Sequence, residues 1–235
     1  MRSKLLTLAL LAAASSACDA QSGQQQPQRP AQQSGDTDPT RRAAGGTIPA
    51  GWQIRLDDKD AGRYTTNDIQ FLPMGGGFHI TSGPAAIYPG ADLANGPFVL
   101  EATFNQTKAP RHPEAYGLFF SGKDLEDSDK QEYVYFLVRG NGQFLINHRA
   151  GRDVHKIVDW QENAAIRKQD ANGQATNRLT VRAGSDSVRF LANGQQVAAI
   201  SRQTISNPGG KAGLRVNHNL DVHVTGFRAV AGANR

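Results

Sequence analysis

From Phe98 onward, apolar and polar residues alternate with a period of two, and the runs are punctuated by glycine and asparagine. In FVLEATF, Phe98, Leu100, Ala102 and Phe104 fall on one side and Val99, Glu101 and Thr103 on the other, the pattern of a strand with one face in a core. The alternation returns in Leu179 with Val181, Val188 with Phe190, Leu214 with Val216, and Val222 with Val224. No helical period separates these runs. The only helix-like patch, WQENAAIRK from Trp160 to Lys168, reads as a strand end and a loop. Asn193-Gly194 lies between two alternating segments and supplies the positive φ angles that a tight type I′ hairpin turn requires. Short strands without intervening helices predict an all-β protein, an antiparallel sandwich of about twelve strands.

One strand breaks the one-sided pattern. Between Tyr133 and Arg139, Val134, Phe136 and Val138 form one face, while Tyr133, Tyr135, Leu137 and Arg139 form the other, so both sides are apolar or aromatic. Such a strand is expected near the middle of a sheet, with its second face covered or used.

The first residues carry an address. Met1 to Lys4 is a short basic start, Leu5 to Ala14 is an apolar run too short to span a bilayer, and small residues follow at Ser15, Ser16 and Ala17, which predicts an export signal over 1–17. Cys18, the single cysteine of the chain, has no partner for an intrachain disulfide. Its position resembles the lipobox of bacterial lipoproteins, with Ser15 where that family usually carries leucine. The resemblance implies acylation of Cys18, a membrane attachment through that lipid only, and a place in the cell envelope; plain secretion or a periplasmic location is the alternative. Residues 18–46 are rich in Gln, Pro, Ser and Gly and hold no large apolar side chain, so a disordered tether is expected there. A single sandwich domain is expected over 47–230, followed by a disordered tail over 231–235.

Charge narrows the partners. The formal charge of +5 includes Arg2 and Lys4 of the signal, and Arg29, Arg41 and Arg42 of the tether are balanced by Asp19, Asp36 and Asp38. The mature domain is left with a small, interspersed excess, which is no footprint for nucleic acid.

The order YGLFF, acidic loop, EYVYFLVRGNGQFLINHR, Asp159-Trp160, NRLTVRAGSDSVRFLANGQQVAAI and GKAGLRVN resembles the concanavalin A-like lectin and glucanase sandwiches. Within them it is most similar to bacterial laminin-G-like and 3-keto-disaccharide hydrolase (DUF1080-type) domains. The resemblance covers roughly Phe98 to Phe227 and rests on the Asn177-Arg-Leu179 opening, the FLANG hairpin and the Gly213-Leu214 strand. It implies an antiparallel two-sheet jelly-roll sandwich, its two curved sheets giving one concave face, and a role in binding or cleaving sugar. Near the start, WQIRLDDKDAGRY stands where the hydrolase domains carry a phenylalanine-aspartate-glycine-lysine stretch.

Few residues offer chemistry. A glycosidase needs two carboxyl groups on one linkage, and no strand here carries such a pair; Glu101, Glu132 and His148 are the candidates for acid–base work. Asp124, Glu126, Asp127 and Asp129 in KDLEDSDKQE read either as a Ca²⁺ loop or as a solvated charged loop. His148, His218 and His223, with Asp153 or Asp221, form a looser set for a transition metal or for proton transfer; alternation turns His223 outward. Tyr133, Tyr135, Arg139, Asn147, Arg149, Trp160 and Arg215 carry what a glycan groove uses, aromatic faces for pyranose rings and forked donors for hydroxyls. The expectation is a saccharide-binding module that does not cleave, with no cofactor beyond that Ca²⁺. A glycoside or 3-keto-glycoside hydrolase and a structural or adhesive envelope module are the alternatives.

Overall fold

The computed structural model describes residues 48–57, 65–82, 85–205 and 208–232. The signal, Cys18, the tether, Thr47 and residues 233–235 lie outside the described residues. The strands are β1 (Trp52–Leu56), β2 (Gln70–Met74), β3 (Gly77–Ser82), β4 (Ala85–Pro89), β5 (Phe98–Gln106), β6 (Ala115–Lys123) and β7 (Glu132–Arg139). They continue with β8 (Gln143–Ala150), β9 (Asp153–Glu162), β10 (Ala175–Ala183), β11 (Ser187–Ala192), β12 (Gln195–Ser201), β13 (Lys211–Val216) and β14 (Leu220–Ala231). Their pairings are antiparallel, in a first sheet ordered β1-β4-β13-β6-β7-β8-β9 and a second ordered β12-β11-β10-β5-β14-β3-β2, seven strands each.

The two sheets pack into a sandwich through the faces that alternation assigned to the core. Phe98, Leu100, Ala102 and Phe104 are fully buried, as are Leu179, Val181, Val188, Phe190, Leu214, Val216, Val222 and Val224. Aromatic rings lock one sheet onto the other: Phe104 on Tyr116 at 5.2 Å, Phe98 on Phe120 at 5.7 Å, and Phe136 on Phe190 at 5.4 Å between centroids. Burial pushes the Tyr116 hydroxyl up to about 12. Asn193 (φ 52°) and Gly194 (φ 85°) make the two-residue turn between β11 and β12. WQENAAIRK ends β9 at Glu162 and continues as turn and coil.

The count of about twelve strands falls short of the fourteen present among the described residues. The region Trp52–Pro89 supplies the difficult ones. Edge strand β2 carries Pro73, tolerable because an edge has a side with no ladder to donate to, and β4 is buried on both faces, so neither reads as a clean strand from its sequence. β7, by contrast, is interior to the first sheet and is buried on both faces from Tyr133 to Val138.

Candidate functional site

Register lines up the outer face of the first sheet. Across one row, Arg55 on β1 faces Ala86 on β4, which faces Arg215 on β13, then Gly117 on β6, Leu137 on β7 and Leu145 on β8. The next row places Phe119 beside Tyr135 and Tyr135 beside Asn147, and a third sets Tyr133 beside Arg149. Tyr88, Phe119, Tyr133, Tyr135, Leu137 and Leu145 belong to a second apolar cluster, separate from the sandwich core and packed by Trp160 of β9. Gly117 is required in that floor, since a Cβ there would come within 2.0 Å of the Phe136 carbonyl oxygen.

A charged group is set into this cluster. The Asp57 carboxylate accepts from Arg55 Nη1 at 3.0 Å and from Arg215 Nη2, and all three side chains are buried. Burial alone would raise the Asp57 carboxyl, but Arg215, then Arg55 and Arg149, hold it below its ordinary value. Burial would likewise favour neutral Arg215, and Asp57, foremost among its neighbours, holds its guanidinium charged. Arg55 lies 5.9 Å from the centre of the Tyr133 ring, and the Tyr133 and Tyr135 rings are 5.7 Å apart. Asn147 Nδ2 donates to the Tyr135 hydroxyl at 3.1 Å; burial raises that hydroxyl and the hydrogen bond partly offsets it.

Several buried polar atoms of this patch have no hydrogen-bond partner: Tyr133 Oη, Asn147 Oδ1, Arg139 Nε, Arg149 Nε, and Arg215 Nε and Nη1. Buried polar atoms are nearly always paired, and each orphan costs roughly 1–3 kcal/mol; this face gathers six of them, while Gln106 Oε1 on β5 and Ser121 Oγ on β6 are unpartnered as well. At the far end of the patch the Arg139 guanidinium stacks on Trp160 with its carbon 3.5 Å from the ring centre, and Glu114 meets His218 at 3.0 Å. Desolvation lowers Arg139, and Glu114 opposes that.

The six ligand-binding candidates, Tyr133, Tyr135, Arg139, Asn147, Arg149 and Arg215, therefore share one face of one sheet. The manner differs from a stacking platform: Tyr133 is 0% and Tyr135 9% exposed, so their ring faces are covered, with the Tyr133 hydroxyl buried without a partner and the Tyr135 hydroxyl held by Asn147. Half-buried Trp160 is the ring nearest to solvent. The sequence reading missed Arg55 and Asp57. Their signal was period two in WQIRLD, where Trp52, Ile54 and Leu56 face the core and Arg55 and Asp57 turn away.

The acid–base candidates go elsewhere. Glu132 and His148 meet at 3.3 Å, beside Val134 and Ile205, on the opposite face of the sheet from Tyr133 and Arg149. With Ser121, Gln203 and Thr204 they line a cavity of about 100 Å³. Lys123 also reaches Glu132, at 3.2 Å. Glu101 lies in the second sheet, bound by Thr180 at 2.9 Å and Arg228 at 3.2 Å, far from any pairing with Glu132.

The acidic loop does not converge. Glu126 accepts from Tyr88 at 2.5 Å, Asp127 pairs with Lys130 at 2.8 Å, and Asp129 pairs with Arg152 at 2.6 Å, while Asp124 is an exposed turn residue at φ 45°. Among the described residues no group of three or more His, Cys, Asp or Glu side chains is arranged to hold a metal ion. His223 does face outward, opposite His79, whose Nε2 is 3.3 Å from Asp221; Asp153 is exposed at the start of β9.

No protein-family model matches the chain, and no curated protein matches it. Solved structures do. The chain is similar to the carbohydrate-binding module CBM66 from Bacillus subtilis, with 13% identity, TM-score 0.56, and 80% of this chain and 100% of that one covered. It is similar to a Bacillus subtilis protein of unknown function with a galectin-like fold, at 13% identity and TM-score 0.54 over 80% of this chain and 96% of that one. It is also similar to a double-cysteine variant of alginate lyase A1-II′, at 9% identity and TM-score 0.51 over 77% and 94%. At such identities the likeness shows a shared architecture, the galectin-like and concanavalin-like β-sandwich, in which both a binding module and a lyase are built.

Proposed function

We propose that this chain is an exported, lipid-anchored module that binds a saccharide on the outer face of its first sheet and does not cleave it. The observation that carries this reading is the set of unpartnered polar atoms on Tyr133, Asn147, Arg149 and Arg215, held in a cluster of aromatic and aliphatic side chains. Sugar hydroxyls donate and accept, so one ring can satisfy several of these orphans at once, and ordering costs little because the groups are already fixed. The carbohydrate-binding character of similar sandwiches points the same way. Against cleavage stands the position of Glu132 and His148 on the other side of the sheet, in a cavity smaller than the roughly 300–1,000 Å³ of ordinary ligand pockets. A glycan array read alongside a reducing-sugar assay tests the reading: binding without turnover supports it, and turnover abolished by Glu132→Gln or His148→Ala replaces it with a hydrolase.

Anchoring rests on the sequence around Cys18. No described helix is long and apolar enough to cross a membrane, so the lipid is the attachment proposed. Cys18→Ser is expected to move the protein from the membrane to the soluble fraction. Wild-type protein recovered soluble, with an N-terminus beyond residue 18, removes the anchor.

A further inference from the structure

The orphaned atoms of the patch are unequal in kind. Four are guanidinium nitrogens, namely Arg139 Nε, Arg149 Nε, Arg215 Nε and Arg215 Nη1; a fifth, Tyr133 Oη, is a hydroxyl that donates; a single one, Asn147 Oδ1, is purely an acceptor. Donors of positive charge thus dominate what is unmet. The carboxylates nearby are already engaged: Asp57 by Arg55 and Arg215, Glu126 by Tyr88, and Glu114 by His218. Asp57 meets Arg215 through Nη2 and leaves the Nε and Nη1 edges of that buried guanidinium unpaired.

A buried guanidinium with empty N–H positions gains more from an anion than from a neutral oxygen, because charge-assisted hydrogen bonds are about twice as strong and the surroundings screen them weakly. Arg149, beside Tyr133, and Arg139, at the far end of the patch, are half-buried, whereas Tyr133 and Arg215 are buried. Trp160, stacked with Arg139, sets an apolar ring beside a positive charge at that far end. This combination suits a sugar ring that bears a carboxylate.

Resting on the saccharide-binding reading above, we infer that the ligand is an acidic saccharide, a uronic-acid-containing glycan whose carboxylate is taken by the unpaired nitrogens Arg149 Nε, Arg215 Nε and Arg215 Nη1, the Arg149 Nη1 group being engaged by the Arg152 carbonyl.

The experiment is a calorimetric titration of the full chain with oligogalacturonate, oligomannuronate and oligoglucuronate. Each is compared with its methyl ester, which keeps the sugar and removes the charge, and with oligoglutamate, which keeps carboxylates and removes the sugar. At least one acid should bind about tenfold or more tighter than its ester, the worth of one charge-assisted hydrogen bond, and that advantage should shrink as salt is raised. Arg149→Gln should bring the acid-to-ester ratio close to one, with Arg149→Lys, which restores the charge without the fork, falling between; matched unfolding midpoints identify variants that remain folded. An ester or another neutral glycan bound as tightly as any acid overturns the acidic inference and leaves the saccharide reading standing. Oligoglutamate bound as tightly as the acids overturns the sugar component of both. Absence of binding to every acidic and neutral glycan overturns both together.

Discussion

The outer faces of the two sheets are built from similar residues and solve the same problem differently. On the second sheet, Glu101 is bonded by Thr180 and Arg228, and Asp221 by Thr107, His79 and, at 3.8 Å, Lys108, while Arg178, Arg182 and Arg189 stand exposed in water. Polar groups there are paired or solvated, and the face is an ordinary protein surface. On the first sheet, Asp57, Arg55 and Arg215 are buried with Tyr133 and Tyr135, and several of their neighbours' hydrogen-bonding atoms are left unpaired. Among the described residues, the buried Arg atoms without a partner lie on the first face and none on the second, and the proposed ligand site rests on that difference.

The largest expected effect separates the faces by stability. Replacing Asp57 with Asn leaves Arg55 and Arg215 without their counter-charge in the interior and should cost about 3–5 kcal/mol in denaturant unfolding. Glu101→Gln removes the central carboxylate of the other face, where Arg228 is exposed, and should cost about 1 kcal/mol or less. Equal losses would erase the distinction.

The pH dependence follows from the same group. Asp57 has its folded value held below the unfolded one, so its contribution is fully present above the unfolded carboxylate value of about 3.9 and is lost as pH falls through the folded value. Wild type should therefore lose stability below about pH 4 more steeply than Asp57→Asn does, as followed by unfolding midpoints from pH 7 downward. Parallel curves would show that the charge cluster does not govern this region.

A smaller effect carries opposite signs on the two faces. The Tyr133 hydroxyl is buried without a partner, so Tyr133→Phe should leave the free protein unchanged or stabilise it by up to about 1 kcal/mol, while weakening ligand binding. The Thr180 hydroxyl donates to Glu101, so Thr180→Val should destabilise by about 1 kcal/mol and leave binding alone. Thermal unfolding and a binding titration on both variants give the four signs.

Alternation made most of the sandwich legible, because period two is a direct readout of which side chains a pleated sheet puts inside. It placed Phe98 to Phe104 and the C-terminal pairs in the core, and the two-sided apolar pattern of Tyr133 to Arg139 marked β7 as interior. It also put Tyr133, Tyr135 and Arg139 on one face. It could not bring Arg55, Asp57 and Arg215 together, since Asp57 and Arg215 are 158 positions apart and meet only through the β1-β4-β13 order. Nor could it tell that Tyr133 would lie beneath the patch instead of on it. Exposure depends on what covers a strand, and a strand's own sequence records only the side on which each residue stands. The acidic loop shows the same limit: four carboxylates in six residues suggest a cation, but the fold gives three of them separate hydroxyl or cationic partners.

The most direct test of the central claim observes the arginine Nε–H groups themselves. In a nitrogen-15 NMR titration with the saccharide that binds best, the signals of Arg149 and Arg215 should shift and become protected from exchange, with Arg139 following, because their empty donor positions are filled. Arg178, Arg182, Arg189 and Arg228 on the second sheet should stay where they are. Shifts confined to those four, or to residues around the Glu132–His148 cavity, would contradict the account and move the site off this face.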